Sequence, residues 1–89
     1  MPFHRCAIRK DDGSTIVESV DVMVEELERD GVNEWHGTMT TKHLVPLESG
    51  HRYMLVLDDG RSGEFMVRRN TFAGGTNRAV AIQGVGPLR

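Results

Sequence analysis

Arg52-Tyr53-Met54-Leu55-Val56-Leu57-Asp58-Asp59-Gly60-Arg61-Ser62-Gly63-Glu64-Phe65-Met66-Val67-Arg68-Arg69 reads as two β-strands folded over a tight turn. Apolar residues alternate on both sides of Asp58-Asp59-Gly60, a tripeptide that suits a turn and disfavours helix. Tyr53, Leu55 and Leu57 share one face, which Phe65 and Val67 of the second strand match, and that face is expected to be core. Met54, Val56 and Met66 form a second apolar set on the opposite face. A hairpin apolar on both faces points to a closed or strongly curved sheet rather than one lying open to water. Gly60 supplies the positive φ that the turn needs, and Gly63 is expected to mark a bulge just after it.

The same reading extends in both directions. Phe3 to Lys10 is a first strand, with Cys6 and Ile8 on one face and Arg5, Ala7 and Arg9 on the other, ended by a second Asp-Asp-Gly at Asp11 to Gly13. Two periods compete over Ser14 to Arg29. Ile16, Val20, Val22 and Val24 share a strand face, whereas Val17, Val20, Val24 and Leu27 fall at helical spacing. Five valines between positions 17 and 32 favour a long strand, bent or bulged near Glu25-Glu26, over a helix at about 17–29. Asp30-Gly31 offers the next turn. Val32 to Thr41 then carries Trp35 and Met39 on one side, with Gly37 leaving room for the Trp35 ring or for a neighbouring strand. Lys42 to Gly50 is a connection with one helical turn, pinned by Leu44 and Leu47. Asn70 to Asn77 reads as a mobile loop around Gly74-Gly75, and Arg78 to Gln83 as the last strand, with Val80 and Ile82 inward. The expectation is a single all-β domain over residues 1–89, a small antiparallel barrel or strongly curved sheet of five to six strands; the alternative is α+β with one helix.

Composition narrows the function classes. With one cysteine, Cys6, no intramolecular disulfide forms and no metal site can rest on paired thiolates, which favours a reducing, cytoplasmic setting. Met1-Pro2-Phe3-His4-Arg5 runs into mixed charged sequence, so neither a signal segment nor a membrane span is expected. The net charge of -2 hides a division: nine acidic residues stand against Arg29 between Asp11 and Glu34, a local charge of -8, while residues 1–10 and 35–89 each carry +3. Such asymmetry means acidic strands beside basic ones, or an acidic face that meets a basic partner.

No reaction is written in the motifs. His4, His36, His43 and His51 show no metal-ligand spacing, and no cofactor is expected. Gly60-Arg61-Ser62-Gly63 falls one residue short of a nucleophile elbow and lies in a β-turn. Gly84-Val85-Gly86 has no helix after it to open a dinucleotide site. Leu57-Asp58-Asp59-Gly60 resembles the Leu-Asp-Thr-Gly loop of retroviral-type aspartic proteases, small all-β homodimers that pair one carboxylate from each chain. It departs where Asp59 replaces the family's hydroxyl residue, which makes a shared-proton dyad hard to form. Arg5-Cys6-Ala7-Ile8-Arg9 has the Arg-x-x-x-Arg spacing of the PilZ barrels, which bind a cyclic dinucleotide, but that family's Asp/Asn-x-Ser-x-x-Gly is absent.

A non-enzymatic binding module is therefore expected, acting in protein interaction or assembly, with self-association through an edge strand as one form. The alternative is a nucleic-acid-binding barrel of SH3-like or OB-like kind, disfavoured by a pI near 6.0. The aspartic protease is the remote alternative. For the nucleic-acid reading the site would be Arg61, Arg68, Arg69 and Arg78 on phosphates, with Trp35 or Tyr53 stacking on bases.

Overall fold

The computed structural model describes residues 3–42 and 45–89, and it is all-β with no helix. Six strands follow one another: β1 (Phe3–Arg9), β2 (Thr15–Arg29), β3 (Val32–Lys42), β4 (Arg52–Leu57), β5 (Ser62–Phe72) and β6 (Asn77–Val85). They close an antiparallel barrel in the order β1-β2-β3-β6-β5-β4, with β4 returning to β1. The expected barrel is what forms, and Ser14 to Arg29 is strand from Thr15 onward rather than helix. Each strand sends alternate residues inward because the pleat has a period of two. Cys6, Ile8, Val22, Val24, Trp35, Met39, Leu55, Leu57, Phe65, Val67, Val80 and Ile82 are buried together. The outer-face apolar residues Met54, Val56 and Met66 are only partly covered.

The turns form where their chemistry predicts. Asp30 and Gly31 both take positive φ, 52° and 78°, the two left-handed residues of a two-residue hairpin turn, so Arg29 pairs directly with Val32. From that turn the pairing runs unbroken to Val22–Met39. The expected irregularity near Glu25-Glu26 is therefore absent. It lies instead against β1, where register shifts between the Cys6–Val20, Ile8–Val17 and Arg9–Thr15 pairs leave extra residues on β2. That placement follows from the partners: β1 ends in a tight turn at Asp12-Gly13, and a long strand following a short one around a small barrel must absorb the mismatch as bulges.

The two ends are closed differently. At one, the Trp35 ring is 2% exposed, donates from Nε1 to Gly86 O at 3.0 Å, and lies over two glycines. A Cβ on Gly84 would fall on the Trp35 pyrrole atoms, and one on Gly63 would come 3.0 Å from Cζ2. Gly63 is thus no bulge, since β4–β5 pairing is regular from Arg52–Met66 to Val56–Ser62; it makes room for the indole. Gly37 admits a neighbouring strand, not the ring, because its Cβ would meet Met23 O at 2.6 Å. Two reciprocal backbone bonds between Ser62 and Arg89, both 2.9 Å, fold the C-terminal segment over this end and bury Leu88.

At the other end Leu47 is the plug. Its connection has no helical turn among the described residues, and Leu44 and His43 lie outside them. Tyr53 Oη accepts from Glu48 N at 3.1 Å and donates to Pro46 O at 3.3 Å, while Asn70 Nδ2 donates to Leu47 O at 2.6 Å. The expected loop from Asn70 shortens to residues 73–76, because Thr71 and Phe72 continue β5 opposite Ala79 and Arg78. Gly84→Ala is expected to lower stability by about 3 kcal/mol, the upper range for overpacking a filled core. Gly60→Ala, at φ 94° with open space around it, should cost about 1–2 kcal/mol from backbone strain alone. Urea unfolding followed by Trp35 fluorescence measures both.

Candidate functional site

The barrel is closed in strand order but not along its whole height. Between β2 and β3 the last paired residues are Val22 and Met39. Beyond them Thr15–Asp21 pairs only with β1, and Thr40–Lys42 only with β6. No backbone hydrogen bond joins these two segments among the described residues. The bulges in β2 cause the divergence: they swing the first half of that strand along with β1, while β3 stays in register with β6. Two strand edges that are not bonded to each other therefore border an open groove of about 700 Å³, and on the β3 side Lys42 O accepts from Val45 N at 3.0 Å.

The groove has an apolar floor and polar rims. Val17, Val20 and Val45 are partly buried against the core cluster and line it, with Met39 beneath. Ser19, Asp21, Thr40 and Lys42 stand along its sides, and it runs out past Met23 and Thr38 to the exposed ring of Phe3. Thr41 lines it too. This residue is 4% exposed, yet its hydroxyl has no hydrogen-bond partner among the described residues. A buried hydroxyl without a partner costs a fold stability.

The sequence-expected residues are dispersed over the molecule. Trp35 and Tyr53, 2% and 7% exposed, are both buried in the core, and neither ring offers a face on which a base could stack. Arg61 is bound twice, from Nε to Asp59 at 2.9 Å and from Nη1 to Glu26 at 2.8 Å, and so ties the β4–β5 turn to β2. Arg78 is clamped by Asn70, with Nε donating to Oδ1 at 2.8 Å and Nη2 to the backbone O at 2.9 Å. Only Arg68 and Arg69 come together, side by side on the outer face of β5.

Three of the histidines have carboxylate partners. His4 reaches Asp58 at 3.3 Å, His36 reaches Glu25 at 3.5 Å and His51 reaches Glu48 at 3.2 Å. No group of three metal-ligating side chains forms among the described residues. In the loop that resembles an aspartic-protease turn, the Arg61 backbone amide, and then its guanidinium, hold the Asp59 carboxyl below its ordinary value. A carboxylate fixed in its charged form by its own turn is a structural cap, the behaviour of Asp at the start of a reverse turn. Arg5, of the Arg-x-x-x-Arg stretch, pairs with Asp21 at 3.4 Å. Comparison of the chain with protein-family models, with curated proteins and with solved structures finds no match.

Thr41, Val17, Val20 and Val45 were invisible to sequence reasoning as site residues, since a threonine and valines in strands look like ordinary sheet. The one usable signal was the excess length of Thr15–Arg29, which must bulge somewhere against a seven-residue partner.

Two measurements follow. Thr41→Val should stabilise the free protein by about 1–2 kcal/mol, because it removes a buried hydroxyl that gains no hydrogen bond; urea midpoints test it. Burial first, then Asp21 and Asp58, pushes the Cys6 thiol up to about 12 from 9.0. Native protein should therefore resist iodoacetamide at pH 8 and react once unfolded. The neutral thiol's stabilisation is complete below pH 9.0 and is lost as pH rises through about 12, so Cys6→Ala should lose less stability than the parent across that window.

Proposed function

We propose that this barrel is a non-enzymatic protein-interaction module that accepts an extended polypeptide segment by strand addition at the β2–β3 seam. The observation that carries it is the pair of strand edges, not bonded to each other, that face one another across an apolar-floored groove. Unpaired edges are ordinarily blunted or covered, because they are templates for pairing with another chain. Here each edge offers backbone hydrogen bonds for affinity, and the Val17, Val20 and Val45 floor takes alternate side chains of an incoming strand for specificity. Thr41 Oγ then has a use: it bonds a backbone group of the guest.

The nucleic-acid reading draws less support. It needs exposed aromatics beside a convergent set of arginines, whereas both rings are core and two of the four arginines are committed within the chain. The single cysteine, buried and unpaired, fits a cytoplasmic setting for the module.

The test is selection of the full protein against a phage library of ten-residue peptides, followed by hydrogen exchange on the complex. Selected sequences should alternate apolar and polar residues, and their binding should slow exchange at Val17–Asp21 and Thr40–Lys42. Thr41→Val, stabilising in the free protein, should weaken binding about fivefold, the loss of one hydrogen bond near 1 kcal/mol. Binders that protect other surfaces, or none at all, would refute seam recognition. A concentration-dependent dimer that protects the same amides would show that a second copy supplies the strand.

A further inference from the structure

β5 carries two consecutive arginines in mid-strand, where strict alternation would send one of them into the core. Val67 is buried opposite Ile82, so Arg68 belongs outside and Arg69 would follow inward. A register shift between Val67 and Arg69 prevents this, pairing Arg69 with Ala81 and leaving both guanidinium groups on the outer face. There they form one wall of a trough of about 600 Å³ that adjoins the outer end of the seam groove at Met23 and Thr38 but does not include its Val17–Val20–Val45 floor. Its base is made of small residues, Gly37, Thr38 and Ala81, and its far wall of Met23, Glu25 and His36.

The wall is cationic and oriented. Arg68 Nη1 donates to Gln83 Oε1 at 3.3 Å, and Gln83 Nε2 in turn donates to Trp35 O at 3.5 Å, a relay that ends on the β3 backbone. A neutral amide holds the guanidinium in place without neutralising it. Arg5, Arg52 and Arg61 each have a carboxylate partner, but neither Arg68 nor Arg69 has one among the described residues. Glu25, the one carboxylate lining the trough, is paired to His36 on the opposite wall.

We infer that this trough binds a phosphate-bearing ligand, with the Arg68 and Arg69 forks on the phosphate oxygens and the remainder of the ligand over Thr38 and Ala81. Two adjacent guanidinium groups match a phosphate monoester, which carries close to two negative charges and three acceptor oxygens. The volume is in the range of small-molecule sites. The phosphate could be carried by a free small molecule or by a modified side chain, and the probes separate the two.

The test is an NMR titration of the full chain at low salt with pyrophosphate, with ADP and with a phosphoserine hexapeptide. At least one probe should saturate, moving the Arg68, Arg69, Thr38 and Ala81 signals. Arg68→Gln with Arg69→Gln should weaken binding at least tenfold, while Arg52→Gln, on another part of the surface, should leave it unchanged. Glu25→Gln should tighten it severalfold by removing the facing negative charge, a gain that misfolding cannot produce. Strongest binding of ADP assigns the free small molecule, and strongest binding of the peptide assigns the modified side chain. No saturation with any probe, saturation that survives the double arginine substitution, or weaker binding in Glu25→Gln would overturn the inference.

Discussion

The indole of Trp35 seated on the bare backbone of Gly84 is the contact on which the barrel depends. It lies on Gly84 of β6, bonds the residue just after that strand through Nε1 and Gly86 O, reaches β5 at Gly63, and packs beside the segment that buries Leu88. A six-stranded barrel has an interior only wide enough for side chains, and its open end has to be stopped by something large. One ring does this for three strands at once, and it requires that two positions on those strands have no side chain. The same residue's backbone oxygen anchors Gln83, so the surface relay to Arg68 begins on the β3 backbone.

The opposite end is held by a softer arrangement, in which Tyr53 and Asn70 bind the backbone of the 46–48 segment and Leu47 fills the space beneath. It is at this end that the seam opens. The molecule thus keeps its most rigid closure away from the groove, and places the unpaired edges where a short connection rather than an aromatic plug covers the core. Elements with fewer shared bonds open at lower free energy, which is what the proposed admission of a guest strand would require.

Most of the fold was legible because its determinants are local. Asp-Asp-Gly and Asp30-Gly31 announce turns through the conformations their residues tolerate, and alternation at Tyr53 to Leu57 and at Phe65 to Val67 assigns inside and outside. What could not be read depends on partners distant in sequence. Nothing adjacent to Gly84 says that Trp35, 49 positions earlier, will lie on it, and the bulges of β2 arise from its match to β1, not from the Glu25-Glu26 phase change that drew attention. Trp35 and Tyr53 looked like binding aromatics for the same reason, since a ring's use depends on whether a strand far along the chain covers it. Arg68-Arg69 held a local signal that the strand reading, which stopped at these two residues, did not use. Two consecutive charges inside a strand already imply a bulge, because one of them would otherwise be buried without a partner.

The strand order also sets the sequence in which this barrel can assemble. β1–β2, β2–β3, β4–β5 and β5–β6 join neighbours in the chain, and each can form early as a hairpin or short-range pair, but the barrel is sealed only by β1–β4 and β3–β6. Loop-closure entropy opposes both sealing steps, and topologies that rely on such distant pairing fold slowly. On the ribosome, β3 emerges with its outer edge unpaired, and 34 residues separate the end of β3 at Lys42 from the start of β6 at Asn77, where its partner begins. Through that interval the nascent chain carries an open edge along β3, and Gly84 arrives to cover Trp35 only with the last strand.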